Sequence, residues 1–197
     1  NSGTIKDAAL NVATLTLPAL GAAGSLAINK ALIIDTTVPT ITITSNTPNV
    51  TDGSSTGDSS IVLVFTPSET TSNFVVGDIT VGNGSLSSFT GSGAYYTAVF
   101  TPTGNGACTI DVAINKFTDT ASNNNTAATQ FNWTYDGTVP TVSSVTSTKA
   151  NGSYKQGEQV PVTVTFNEVV NVTGTPTLTL ETGTSDAVVN YSSGTGT

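Results

Sequence analysis

Apolar and polar positions alternate along most of this chain. Ile61, Leu63 and Phe65 share one side of a period of two; Cys108, Ile110 and Val112 share another; Phe131, Trp133 and Tyr135 share a third, with Asn132 and Thr134 facing away. That period is the signature of strands, whose successive side chains point to opposite faces. Strands are expected near 40–45, 60–66, 74–76, 78–82, 85–89, 94–101, 107–113 and 127–135. Turn-forming groups separate them: Asp52-Gly53, Gly57-Asp58, Asn83-Gly84, Gly91-Ser92-Gly93, Gly104-Asn105-Gly106 and Asn123-Asn124-Asn125. Before this block, Val12 to Leu17 reads as a strand closed by Pro18, Ala19 to Ala27 as a Gly/Ala loop, and Ala31 to Ile34 as an apolar run. After it, Val160, Val162, Val164 and Phe166 alternate, followed by strands at Thr177–Leu180 and Ala187–Tyr191. No stretch keeps a helical period for more than about ten residues.

One stretch occurs twice. Asp35-Thr36-Thr37-Val38-Pro39-Thr40 recurs as Asp136-Gly137-Thr138-Val139-Pro140-Thr141, 101 residues later. Proline fixes its own φ and drives the residue before it to extended conformations, so each copy reads as a stiff joint between consecutive β units. Other offsets agree: Gly57 to Gly157 is 100 residues, Glu69 to Glu168 is 99, and both Asp7 to Asp119 and Asn11 to Asn123 are 112. The expected division is 1–36, the C-terminal part of one unit; 37–137, a complete unit; and 138–197, the N-terminal part of another. Seven or eight short strands in the complete unit predict an all-β chain of tandem immunoglobulin-like sandwiches, one complete and two partial.

Composition narrows the function. Only 9% of residues are charged and the net charge is −8, with five Lys and no Arg, so nucleic acid is not an expected partner. No run of 18 apolar residues predicts a membrane span. The single Cys108 excludes an internal disulfide and, alternating with Ile110 and Val112, reads as core. The absence of His removes the commonest general base, and no nucleophile elbow, phosphate loop or zinc spacing occurs, so an enzyme is not expected.

The chain resembles the tandem bacterial Ig-like repeats of large secreted or cell-surface adhesins and biofilm proteins. The residues that carry the likeness are Asp35-Thr36-Thr37-Val38-Pro39, Pro67-Ser68-Glu69, Gly77-Asp78-Ile79-Thr80 and Phe117-Thr118-Asp119-Thr120-Ala121-Ser122-Asn123. The last motif usually reads Asp-x-Ala-Gly-Asn; here Ser122, and Leu10 in the earlier copy, stand where Gly is usual. The resemblance implies an extracellular or cell-surface setting, a structural role and interdomain Ca²⁺.

Candidate chemistry lies in acids at recurring places. In the complete unit these are Glu69 after the second strand, Asp119 in the turn before the last strand and Asp136 at the joint, with Asn123 beside them. Asp7, Asn11 and Asp35 repeat part of the set upstream, and Glu168 repeats part of it downstream. Oxygen ligands without His or Cys suit Ca²⁺; the same residues also suit Asx turns. Two further possibilities stand beside this. The half units of different copies could join into a filament, and the aromatic stripe Phe131/Trp133/Tyr135 or the Tyr95-Tyr96 pair could stack on carbohydrate.

Overall fold

The computed structural model describes residues 3–14, 16–182, 184–194 and 196. Between Ile41 and Tyr135 the chain forms two four-stranded sheets. The first contains β1 (Ile41–Ser45), β3 (Ile61–Pro67), β6 (Tyr95–Pro102) and β5 (Gly84–Ser92), in the order β1-β3-β6-β5. The second contains β2 (Ser54–Thr56), β8 (Phe131–Tyr135), β7 (Gly106–Val112) and β4 (Ile79–Gly82), in the order β2-β8-β7-β4. All neighbours are antiparallel except β2 on β8. This is the ABED plus CFG arrangement of an immunoglobulin-like sandwich, with a short extra strand beside the last one.

The alternation decides what the sheets bury. Ile61, Leu63, Phe65, Phe100, Cys108, Ile110, Val112, Phe131 and Trp133 pack between the sheets, and Trp133 is 1% exposed. Phe74 touches four aromatic neighbours, Phe65, Phe89, Tyr96 and Phe117, with ring centroids 5.2–5.8 Å apart. β5 is an edge strand, and its register shifts between Ser87 and Thr90. Ser88 has φ 52° there, and the bulge lets Phe89 join the core.

Several strand expectations need correction. Ser54–Thr56 is a strand although it lies between turn signals; three residues carry too little alternation to show. Around 74–76 there is no strand: Phe74 is a core plug and Val76–Asp78 is a 3₁₀ turn, with Asp78 Oδ2 accepting from Val75 N at 2.9 Å. The last strand covers only Phe131–Tyr135 of the expected 127–135. Upstream, the described part of 12–17 shows no strand beyond a bridge between Lys6 and Val12, and Leu15 lies outside the described residues. The Gly/Ala loop ends in a one-turn helix, α1 (Leu26–Asn29). Among the described residues neither upstream segment, 12–17 nor 19–31, joins a sheet, so local pattern alone leaves them open.

Downstream, β9 (Val142–Thr146) pairs with β10 (Thr163–Phe166), and β11 (Thr177–Leu180) with β12 (Ala187–Asn190). No helix among the described residues is long and apolar enough to cross a membrane.

Candidate metal centre

The loop from Lys116 to Thr126 begins with a buried amide. Asn125 is 1% exposed; its Oδ1 accepts from Lys116 N at 2.7 Å and Phe117 N at 2.9 Å, and its Nδ2 donates to the carbonyls of Ala113 and Thr126. All of its bonding capacity goes into holding the loop closed. Inside the loop Asp119 Oδ1 accepts from Ala121 N at 2.8 Å and Asn123 N at 2.9 Å, and Asn123 Nδ2 donates to Asp119 Oδ2 at 2.8 Å. Ser122 takes the left-handed conformation at φ 74°, the place where the related motif usually has Gly.

Two further segments are tied to this loop. Thr71 bridges to Asp119, Asn73 Oδ1 accepts from Thr118 N at 3.0 Å, and Tyr96 Oη donates to the Thr71 carbonyl, which fixes the stretch that carries Glu69. The joint is fixed as well. Asn123 Nδ2 donates to the Asp35 carbonyl at 3.2 Å, Thr126 N donates to the Pro39 carbonyl at 2.9 Å, and Thr40 exchanges hydrogen bonds with Ser68.

The result is a cluster of Asp35, Glu69 and Asp119, each offering a carboxylate oxygen within 4.8 Å of the others. Three segments far apart in sequence supply them: the joint, the end of β3 and the loop before β8. Glu69 Oε1 is shut off from solvent and has no hydrogen-bond partner among the described residues. No Lys answers the cluster, since the one ion pair among the described residues is Lys149–Glu158. Desolvation, and then the charges of Asp35 and Asp119, push the Glu69 carboxyl above its usual range. Burial also pushes Asp119 up, but hydrogen bonds from the Asn123 side chain and from the Asn123, Ala121 and Ser122 N–H groups outweigh it and hold Asp119 below the usual value. A set of hard oxygens, one of them orphaned, fits a divalent cation of the Ca²⁺ kind.

Not every expected site residue joins this cluster. Asp136 does not: its N–H donates to the Thr56 carbonyl and its Oδ1 accepts from Asn105 Nδ2 at the β6–β7 turn, whereas Asp35 is the joint acid that meets Glu69 and Asp119. Asn123 contributes its Nδ2 as a donor that orients Asp119 and the joint. Asp7 and Asn11 form a loop of their own that copies Asp119–Asn123 bond for bond, with Leu10 at φ 66°. The Asn11 side chain, then its backbone N–H, holds Asp7 below the usual carboxylate value. Glu168 copies Glu69: its Oε1 is likewise buried without a partner, and Thr141 and Asn167 exchange the hydrogen bonds that Thr40 and Ser68 exchange. Thr71 and Asn73 carry no sequence signal, and Asn125 reads only as part of a turn, since nothing in a polar, Asn-rich chain distinguishes a buried Asn from an exposed one. The aromatic stripe is core, so Trp133 offers no stacking platform; of the tyrosine pair, Tyr96 is buried and Tyr95 alone is exposed.

No curated protein and no solved structure matches the chain. A family model described as Bacterial Ig-like domain matches residues 35–135, from the first carboxylate of the cluster to the end of β8. Over half its length, and across all eight strands of the sandwich, the chain belongs to the bacterial Ig-like domain family.

Proposed function

We propose that this chain is a structural stretch of an extracellular or cell-surface adhesin or filament, built from tandem Ig-like units and stiffened by Ca²⁺ at the upstream joint. One observation carries the reading: a carboxylate from the joint, Asp35, meets Glu69 and Asp119 of the following sandwich, and Glu69 Oε1 has no hydrogen-bond partner among the described residues. A cation held there ties the joint to the pole of the sandwich and removes the repulsion among the three acids. Asn123 and Asn125 hold the ligand loop in shape before the ion arrives, which lowers the ordering cost of binding. The function is mechanical: stacked sandwiches with short Pro-fixed joints act as a spacer whose stability is set by each unit and its neighbours.

The partners proposed are neighbouring Ig-like units.

The test is thermal unfolding and small-angle scattering of the full chain with Ca²⁺ and with chelator. The expected result is a higher Tm and a longer, stiffer particle in Ca²⁺, both abolished by Glu69→Gln. Equal Tm and equal dimensions in the two conditions would leave the three acids as loop residues only.

A further inference from the structure

The same joint motif is held differently at its downstream copy. Asn105, in the Gly104-Asn105-Gly106 turn between β6 and β7, reaches three consecutive joint residues with one side chain. Its Nδ2 donates to Asp136 Oδ1 at 3.0 Å and to Thr138 Oγ1 at 2.6 Å, and its Oδ1 accepts from Gly137 N at 2.9 Å. The turn that presents it is sharp, with Gly106 at φ 127°, a conformation that L side chains rarely adopt. The joint is also held from β2. Asp136 N donates to the Thr56 carbonyl at 3.0 Å, and the chain passes so close that a Cβ on Gly57 would lie 3.2 Å from the Asp136 carbonyl oxygen. At the upstream joint a side-chain amide also takes part, Asn123 Nδ2 donating to the Asp35 carbonyl at 3.2 Å. There the Asp35 side chain accepts from Thr37 N at 3.0 Å and otherwise faces Glu69 and Asp119.

We infer that Asn105 is a positioning residue that locks the downstream joint from the side of the preceding sandwich with its side-chain amide. Amide donors and a metal ion both answer a joint carboxylate, but the amide belongs to the protein and does not wash out. The lock therefore holds residues 136–138 without a cation. The expectation for Thr37 in chelator rests on the function proposed above; the Asn105 lock does not.

The test is amide hydrogen exchange, read residue by residue by NMR, on the full 197-residue chain and its Asn105→Ala variant, each in Ca²⁺ and in chelator. In the parent chain chelator is expected to speed exchange at Thr37 and leave Gly137 and Thr138 unchanged. Asn105→Ala is expected to speed exchange at Gly137 and Thr138 roughly fivefold in both conditions, the scale of one lost hydrogen bond. The melting transition of the sandwich, followed by Trp133 fluorescence, should stay in place, since Asn105 is exposed and makes no core contact. Unchanged exchange at Gly137 in the variant would overturn the lock. So would chelator loosening Gly137 and Thr138 as much as Thr37 — an outcome that would make both joints cation-dependent. If chelator changes neither joint while Asn105→Ala frees the downstream one, the lock stands and the cation reading fails.

Discussion

The sandwich at 41–135 and the segment 138–196 start from the same plan and end in different states. Their loops agree closely: Thr40 with Ser68 is matched by Thr141 with Asn167, the Thr71–Gly93 bridge by Val170–Gly196, and the orphaned Glu69 Oε1 by that of Glu168. Their cores do not. Ile61 is 1% exposed but its counterpart Val160 is 44% exposed, and Ile41 is 4% exposed against 55% for Val142. The difference follows from two strands. β6 pairs with both β3 and β5, and β7 with both β4 and β8, so these central strands join each sheet and supply Phe100, Cys108 and Ile110 to its inner face. Turn geometry is thus set by a few neighbouring residues, whereas burial needs partners from the other half of the sandwich.

The largest expected effect tests that division. Trp133 packs edge-on to Phe100 with centroids 6.0 Å apart, and its Nε1 donates to Thr56 Oγ1 at 3.1 Å. Trp133→Ala should cost about 3–5 kcal/mol, enough to unfold a marginal sandwich. Val160→Ala should cost less than about 0.5 kcal/mol, the scale of an exposed position. Urea titration followed by far-UV circular dichroism reads both. Comparable losses at the two sites would mean that 138–196 has a closed core.

Cation and proton effects come next, and they have opposite signs in the two halves of one experiment. Ca²⁺ at a hundred times its Kd should add about 2.7 kcal/mol to the sandwich. In chelator the raised Glu69 carboxyl binds its proton more tightly folded than unfolded. Its penalty is absent below the unfolded value and grows as pH rises through the folded one, so mild acid should raise Tm there. Asp119 is held low and acts the other way: its contribution is present above the unfolded value and is lost as pH falls through the folded one. Acidification in chelator should therefore raise Tm first, as Glu69 protonates, and lower it later, as Asp119 does. In Ca²⁺ the first rise should vanish, because the ion replaces the proton on Glu69. Glu69→Gln should give the raised Tm in chelator at neutral pH and remove the Ca²⁺ gain. A melting profile with the same pH dependence in both conditions would contradict the shared site.

Much of this was legible in the sequence, for a physical reason. Strand alternation reports burial directly, so Ile61, Leu63, Phe65, Cys108, Ile110, Val112, Phe131 and Trp133 fall where the period of two puts them. The repeated joint and the recurring acids showed that carboxylates return at fixed places. They did not show which joint folds onto which pole. Asp35 and Asp136 are equivalent in sequence, and only the closed sandwich brings Asp35 to Glu69 and Asp119 while Asp136 meets Asn105. Asn125 is invisible for a related reason: its bonds to Lys116, Phe117 and Ala113 span a loop whose closure no local pattern encodes. Asn125→Ala should leave those groups unpaired in a buried site and cost about 2 kcal/mol in the same urea titration. A loss below about 0.5 kcal/mol would mean that water replaces the amide.

The smallest expected effect is a gain, and it compares the two copies of one loop. Ser122 at φ 74° and Leu10 at φ 66° hold the same position in loops with the same hydrogen bonds. A residue with a Cβ strains there by about 1–2 kcal/mol relative to its preferred conformation, while Gly gives back roughly half of that in lost chain freedom. Ser122→Gly should therefore stabilise the sandwich by about 0.5–1 kcal/mol, a rise in Tm of roughly 2–8 °C for a unit of this size. Leu10→Gly relieves the same strain in a segment that is exposed and has no core to report it, so the melting transition should not move. If both substitutions raise Tm equally, residues 3–36 melt together with the sandwich, and the Asp35 joint transmits stability between units. If neither does, the Asp119 loop stays closed through its four hydrogen bonds from Ala121, Ser122 and Asn123 whatever residue occupies the turn.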